Sequence, residues 1–151
     1  MTAEELLRRY AAGERDFTGV DLSEVKLIDV DLRKIVLKDA DLSFAIMDRA
    51  YLMFANLSGA NMEGIRLEET VLREANLTGA ILIDAVFGQT YLVGANLSYA
   101  DLTGADLSEF SFDNVNLSHT DLTAASEFYI ESFEGAIFDE TVMPDGSIKS
   151  N

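Results

Sequence analysis

One histidine, His119, stands next to Ser118 and two residues before Asp121. A Ser-His-Asp relay or a histidine-based zinc site would have to rest on that single ring. There is no Cys, so thiolate nucleophiles, thiolate metal sites and disulfides are excluded. Paired carboxylates can do acid–base work when burial raises one of the two pKa values, and Asp101 and Asp121 are the pair to consider. Calcium could bridge them, but no loop motif gathers its ligands. No Gly-rich loop opens a helix, so no phosphate cradle is present. The expectation is that His119 and these acids decorate a flat, solvated surface, with no catalytic residue, no cofactor and no metal.

The chain has 151 residues, one domain's worth, and a formal net charge of −16 from 11 basic and 27 acidic residues. That balance speaks against direct nucleic-acid binding, which needs a basic footprint. No apolar run approaches the roughly 18 residues of a membrane span. Met1-Thr-Ala-Glu-Glu lacks the basic and then apolar pattern of a secretory signal. The sequence therefore reads as cytoplasmic, with no membrane association.

The elements that carry these residues are set by a repeat. From Phe17, steps of five reach Leu22, Leu27, Leu32, Leu37 and so on to Leu122, and every one of these 22 positions is Leu, Met or Phe. A smaller residue, mostly Ala, Val, Ile or Thr, stands two places before each. A period of five fits neither a helix nor a simple strand. It fits a short extended piece followed by a tight turn. The large residue and the small one point inward, and the two neighbours of the large residue point outward. Gly at 19, 59, 64, 79, 94 and 104 supplies the positive φ of a type II turn. Asp29, Lys34 and Phe54 at the same phase imply a different turn type at those corners.

Four such turns close a square coil of 20 residues. Coils stack at about 4.8 Å, and their backbones pair in parallel ladders. The large residues fill the interior as columns, one of them Phe17, Leu37, Leu57, Leu77, Leu97 and Leu117. After Leu122 the next large residue is Phe128, a step of six. One residue is therefore inserted, and it is expected as a bulge within 123–125.

The repeat resembles the A(D/N)LxX motif of the pentapeptide repeat family. Ala-Asn-Leu-Ser-Gly (55–59), Ala-Asn-Leu-Thr-Gly (75–79), Ala-Asn-Leu-Ser-Tyr (95–99) and Ala-Asp-Leu-Thr-Gly (100–104) carry the resemblance, which covers 15–143. It implies an all-β fold, a right-handed quadrilateral β-helix. Many members of that family occur in photosynthetic prokaryotes, and most have no assigned biochemical activity. Members of the quinolone-resistance type bind DNA gyrase as mimics of DNA. This chain departs from that subgroup: it lacks outward loops and an evident apolar C-terminal dimerising element.

A stacked coil exposes open edges and core at both ends, so both need covers. Residues 1–14 read as a helical cap, with Thr2 and Glu5 at capping-box spacing, Leu6, Leu7, Tyr10 and Ala11 on one face, and Gly13 as a stop. Residues 15–143 form the β-helix. Residues 144–151, opening Pro-Asp-Gly-Ser, read as a tail folded back over the last coil.

Outward residues stack in files, one per face. Face 1 is mainly Asn, Ser and Thr, expected to hydrogen-bond from rung to rung. Face 4 presents Tyr51, Met53, Val71, Tyr91 and Val93, with Phe54 at the adjoining corner. Aromatic and Met residues inside a polar rim mark an interface, with an unknown protein partner or with a second copy. Charge is the second signal. Residues 1–73 hold 14 acids and 10 bases, whereas residues 74–148 hold 13 acids and no Lys or Arg. Over about 18 Å of axis that is about one charge per 1.4 Å, comparable with duplex DNA at about 1.7 Å. An acidic face of Asp101, Asp106, Glu109, Asp113 and Asp121 could therefore mimic nucleic acid. The leading expectation is a non-catalytic scaffold that displays side chains. An acidic mimic acting on a nucleic-acid-binding protein is the alternative.

Overall fold

A computed structural model describes residues 1–107, 112–126 and 133–151. Parallel bridges link residues 20 apart, as in Asn56↔Asn76↔Asn96↔Asn116 and Asp31↔Tyr51↔Val71↔Tyr91. Each 20-residue coil holds four five-residue steps and four turns, and the coils stack in register. The column Phe17, Leu37, Leu57, Leu77, Leu97 and Leu117 is buried throughout.

The motif follows from backbone hydrogen bonding. In the step 56–60, Asn56 N–H donates to Ile35 one coil below, and Leu57 and Gly59 donate to Asn76 and Thr78 one coil above. Ala60 closes the turn onto Leu57. That leaves Ser58 N–H, which has no backbone partner, and Asn56 Oδ1 accepts from it at 3.1 Å. An Asn or Asp before the large residue completes the set. Asp41, Asn76, Asn96, Asp101 and Asn116 do the same for the residue two places on. The face 1 amides thus bond mainly within their own turn. The rung-to-rung bonding expected of them is represented on face 2, by Asn61 Nδ2 to Asp41 Oδ1 at 3.2 Å.

Every described turn position from Gly19 to Ala124 has positive φ, including Asp29 (57°), Lys34 (60°) and Phe54 (60°). The corners with and without glycine thus share a left-handed residue at this position. Side chains accept the left-handed region there because the ladder to the neighbouring coil fixes the corner, as where Asp29 and Lys34 N–H donate to Asp48 and Met53. Buried threonines stand where the small inward residue is expected. Thr70, Thr120 and Thr141 donate their hydroxyls to Met47, Leu97 and Leu117 carbonyls at 2.6–2.8 Å.

The helix α1 (Ala3–Ala11) packs Leu6 fully into the core, and Thr2 Oγ1 accepts from Glu5 N–H. Glu14 N–H to Arg9 and Gly13 N–H to Tyr10 close it in a Schellman pattern, with Gly13 at φ 99°. Tyr10 Oη donates to the Arg33 carbonyl and the N-terminal ammonium to that of Asp21, fixing the helix to the first coil. At the other end β1 (Thr141–Val142) pairs antiparallel with β2 (Ile148–Lys149). Asn151 then bonds back to Phe138 and Ala136, and the Lys149 ammonium lies 4.1 Å from the Phe138 ring centroid.

Ser126 N–H still donates to Ala105, in the normal register, and Ala125 closes its turn onto Leu122. The offset has grown to 21 residues at Asn116↔Ile137 and Asp121↔Val142. The ladder thus keeps its normal register through 123–125, and residues 127–132 lie outside the described residues. No helix of the described residues is long and apolar enough to cross a membrane.

Candidate interaction face

The file Asp31↔Tyr51↔Val71↔Tyr91 puts the two tyrosines on the same face, one on each side of Val71. Tyr51 is 50% exposed and Tyr91 55%, while Val71 is only partly exposed. Beside this file run Met53 and Val93, and Phe54 stands at the corner, half exposed. The six residues expected on this face therefore share it, with the exposed Arg73 standing between Met53 and Val93. Other exposed aromatics have local roles. Tyr99 stacks on His119 with ring centroids 4.6 Å apart. Phe44 lies over Gly64, where a Cβ would come within 2.6 Å of its ring. Among the described residues, Tyr51 and Tyr91 stack on no other ring.

The surface between the tyrosines is a shallow hollow of about 490 Å³ lined by Asp29, Arg49, Tyr51, Glu69, Val71 and Tyr91. An adjoining hollow of about 340 Å³ is lined by Asp29, Asp31, Arg33, Tyr51 and Met53. Asp29, Arg49 and Glu69 were not expected there. They form the corner file two residues before Asp31, Tyr51 and Val71, so the five-residue spacing could have located them. Arg49 grips Asp29 in a bidentate pair at 2.6 and 2.8 Å, which holds the Asp29 carboxyl below its ordinary pKa. Arg33 holds Asp31 in the same way, at 2.6 Å, with the same effect.

The acidic residues are less gathered. Asp101 and Asp121 are bridged neighbours in one file. Asp106 continues the file of Val86 on the next face, and Asp113 stands over Val93 on face 4. Glu109 lies outside the described residues. The acids thus run round the coils instead of sharing one face. Asp101 and Asp121 each accept from the N–H and hydroxyl of the Thr two residues on. Asp121 is thereby turned into its own corner, and His119 meets Glu140 at 3.3 Å and Asp139 at 3.8 Å instead. Ser118 Oγ donates to Asn116.

A family model described as pentapeptide repeats, in 8 copies, matches residues 16–52, 50–89 and 90–126. No curated protein matches the chain in sequence. Three solved structures are similar to it. HetL, a pentapeptide repeat protein involved in heterocyst differentiation regulation from the cyanobacterium Nostoc sp. strain PCC 7120, is 26% identical over 99% of this chain and 100% of its own, with a TM-score of 0.34. The pentapeptide repeat protein alr5209 from Nostoc PCC 7120 is 30% identical over 88% of this chain and 94% of its own, with a TM-score of 0.37. QnrB1, a plasmid-mediated fluoroquinolone resistance protein, is 20% identical over 80% and 75%, with a TM-score of 0.40. With the five-residue period running through the matched segments and its ladders in register, the chain belongs to the pentapeptide repeat family.

Proposed function

We propose that this protein is a non-catalytic display scaffold, a right-handed four-sided β-helix that offers face 4 to a protein partner or to a second copy of itself. The observation that carries this reading is the exposed pair Tyr51 and Tyr91, held in one file with Val71 between them. Large aromatic surface in a polar rim is the composition of a binding face. The ladders hold that face rigid, so little side-chain or backbone ordering is lost on docking. Tyr51→Glu combined with Tyr91→Glu should abolish self-association in sedimentation, or recovery of a partner from native extract. Survival of every assembly in that variant would sink the reading.

A second reading, an acidic mimic of DNA acting on a nucleic-acid-binding protein such as DNA gyrase, is favoured by one observation. Residues 74–148 contain 13 acids and no Lys or Arg. Binding of that kind weakens steeply as salt rises. A supercoiling assay at low salt with micromolar protein tests it, and unimpeded gyrase would remove it.

A further inference from the structure

Face 4 is neutral on a strongly acidic chain. Its three files, from Asp29 to Val93, hold the acids Asp29, Asp31 and Glu69 and the bases Arg33, Arg49 and Arg73, whereas the whole chain carries a formal net charge of −16. The charges are also sorted by edge. The file of Asp29, Arg49 and Glu69 forms the edge at which the chain enters the face, and the file of Arg33, Met53 and Arg73 the edge at which it leaves. Asp29 and Arg33 therefore stand at opposite edges of one coil, and Glu69 and Arg73 at the same two edges two coils on. Arg49, between Asp29 and Glu69, bonds to the first and attracts the second. Arg73 is exposed, and among the described residues it forms no ion pair.

We propose that face 4 joins a second copy of this chain, the two towers lying parallel about a twofold axis that runs along them, with Glu69 of each copy against the partner's Arg73. The inference rests on reading face 4 as the interaction face. Such an axis keeps every residue at its own height and exchanges the two edges of the face. Entry-edge acids then meet exit-edge arginines, Asp29 against the partner's Arg33 as well as Glu69 against the partner's Arg73. The central file meets itself, so Tyr51, Val71 and Tyr91 pack on their own counterparts. Asp31 also meets its counterpart, and the Arg33 bonded to each offsets that repulsion. An antiparallel pair centred on Val71 would instead set Glu69 on Glu69 and Arg73 on Arg73, which like charges disfavour. The patch is only about 14 Å tall between its first and fourth rungs, too small for the roughly 800 Å² per partner of a standard interface, so the pair is weak and reversible.

Sedimentation of the full chain from about 10 µM to about 1 mM tests the pair, and the parent should dimerise in the upper part of that range. Glu69→Arg alone sets arginine against the partner's Arg73, and Arg73→Glu alone sets glutamate against the partner's Glu69. Each should weaken the dimer about tenfold. Arginine already occupies the same corner one coil below, at Arg49 with φ 55°, so the first change suits the backbone. The two variants mixed in equal amounts should dimerise like the parent, because a mixed pair regains both opposite-charge contacts. Local damage to either variant would not be mended by mixing. Dimerisation untouched by either single reversal, or not restored by mixing, would overturn the proposal. The tyrosine variant separates the two claims. A parent that stays monomeric throughout, while Tyr51→Glu/Tyr91→Glu loses a partner from native extract, overturns the twofold pair and leaves the face standing. A dimer that tolerates Tyr51→Glu/Tyr91→Glu as well as both reversals overturns the face along with the pair.

Discussion

In the stacked coils a five-residue step such as 56–60 leaves one N–H without a backbone partner, and the residue two places before that N–H decides what happens to it. Asp16 and Asp21 accept from the N–H and hydroxyl of Thr18 and Ser23, as Asp145 does from Ser147. Those bonds favour the ionised carboxylate and hold all three below the ordinary value of 3.8. The sign follows from linkage. A lowered folded-state pKa stabilises fully above 3.8 and is lost as pH falls below it. Asn does the same task at 56, 76, 96 and 116 without titrating. Asp16→Asn with Asp21→Asn should therefore leave the urea midpoint near neutral pH almost unchanged. Between about pH 5 and pH 2.5 the variant should lose less stability than the parent. Equal acid sensitivity in the two proteins would mean that these turns carry none of it.

A file is the element of this fold, and face 4 is a file that gives up turn bonding. Tyr51, Val71 and Tyr91 stand where Asn or Asp would accept from Met53, Arg73 and Val93 N–H. Face 3 drops the acceptor as well, with Ile46, Arg66 and Val86 in its middle rungs, but among the described residues only face 4 fills those places with exposed aromatic rings. A residue choice that costs local satisfaction and presents a binding surface is what a functional position looks like. Tyr91→Asn should then restore the acceptor for Val93 and raise stability by about 1 kcal/mol in urea unfolding, while weakening association. A fall in stability together with intact association would mean that Tyr91 is there for the sheet. The files themselves were legible in the sequence, because a strict five-residue period assigns every residue to a face and a depth. The corner chemistry was not. Phe54 and Lys34 gave no sign of a left-handed conformation, since the neighbouring coils impose it. Asp29, Arg49 and Glu69 meet the tyrosines only once coils are stacked. The inserted residue was visible as a six-residue step from Leu122 to Phe128, but a gap between large residues does not say where the ladder changes offset. The bond from Ser126 to Ala105 shows the normal offset still holding just past 123–125.

At the scale of the whole molecule, the two ends of the tower differ. The first coils, under α1, intersperse acids with bases and pair several of them, as in Arg49–Asp29, Arg33–Asp31 and the contact of Arg66 with the buried Asp48. From residue 74 to 148 there is no Lys or Arg to pair with, and stacking brings acids of successive coils together, Asp101 directly bridged to Asp121. Coils sit about 4.8 Å apart, well inside the Debye length of about 10 Å at 0.1 M salt but beyond the roughly 3 Å at 1 M. Repulsion along the acidic coils is thus largely unscreened at low salt and largely screened at high salt. A solenoid is held by nearest-neighbour contacts, so that strain stays where the charge is and does not spread over the chain. Amide exchange should accordingly slow with NaCl between about 0.1 and 1 M in the described coils after residue 74, and change little in those beneath α1. Equal protection gained along the whole tower would point to a general solvent effect, because only like-charge repulsion confined to the upper coils predicts a gradient.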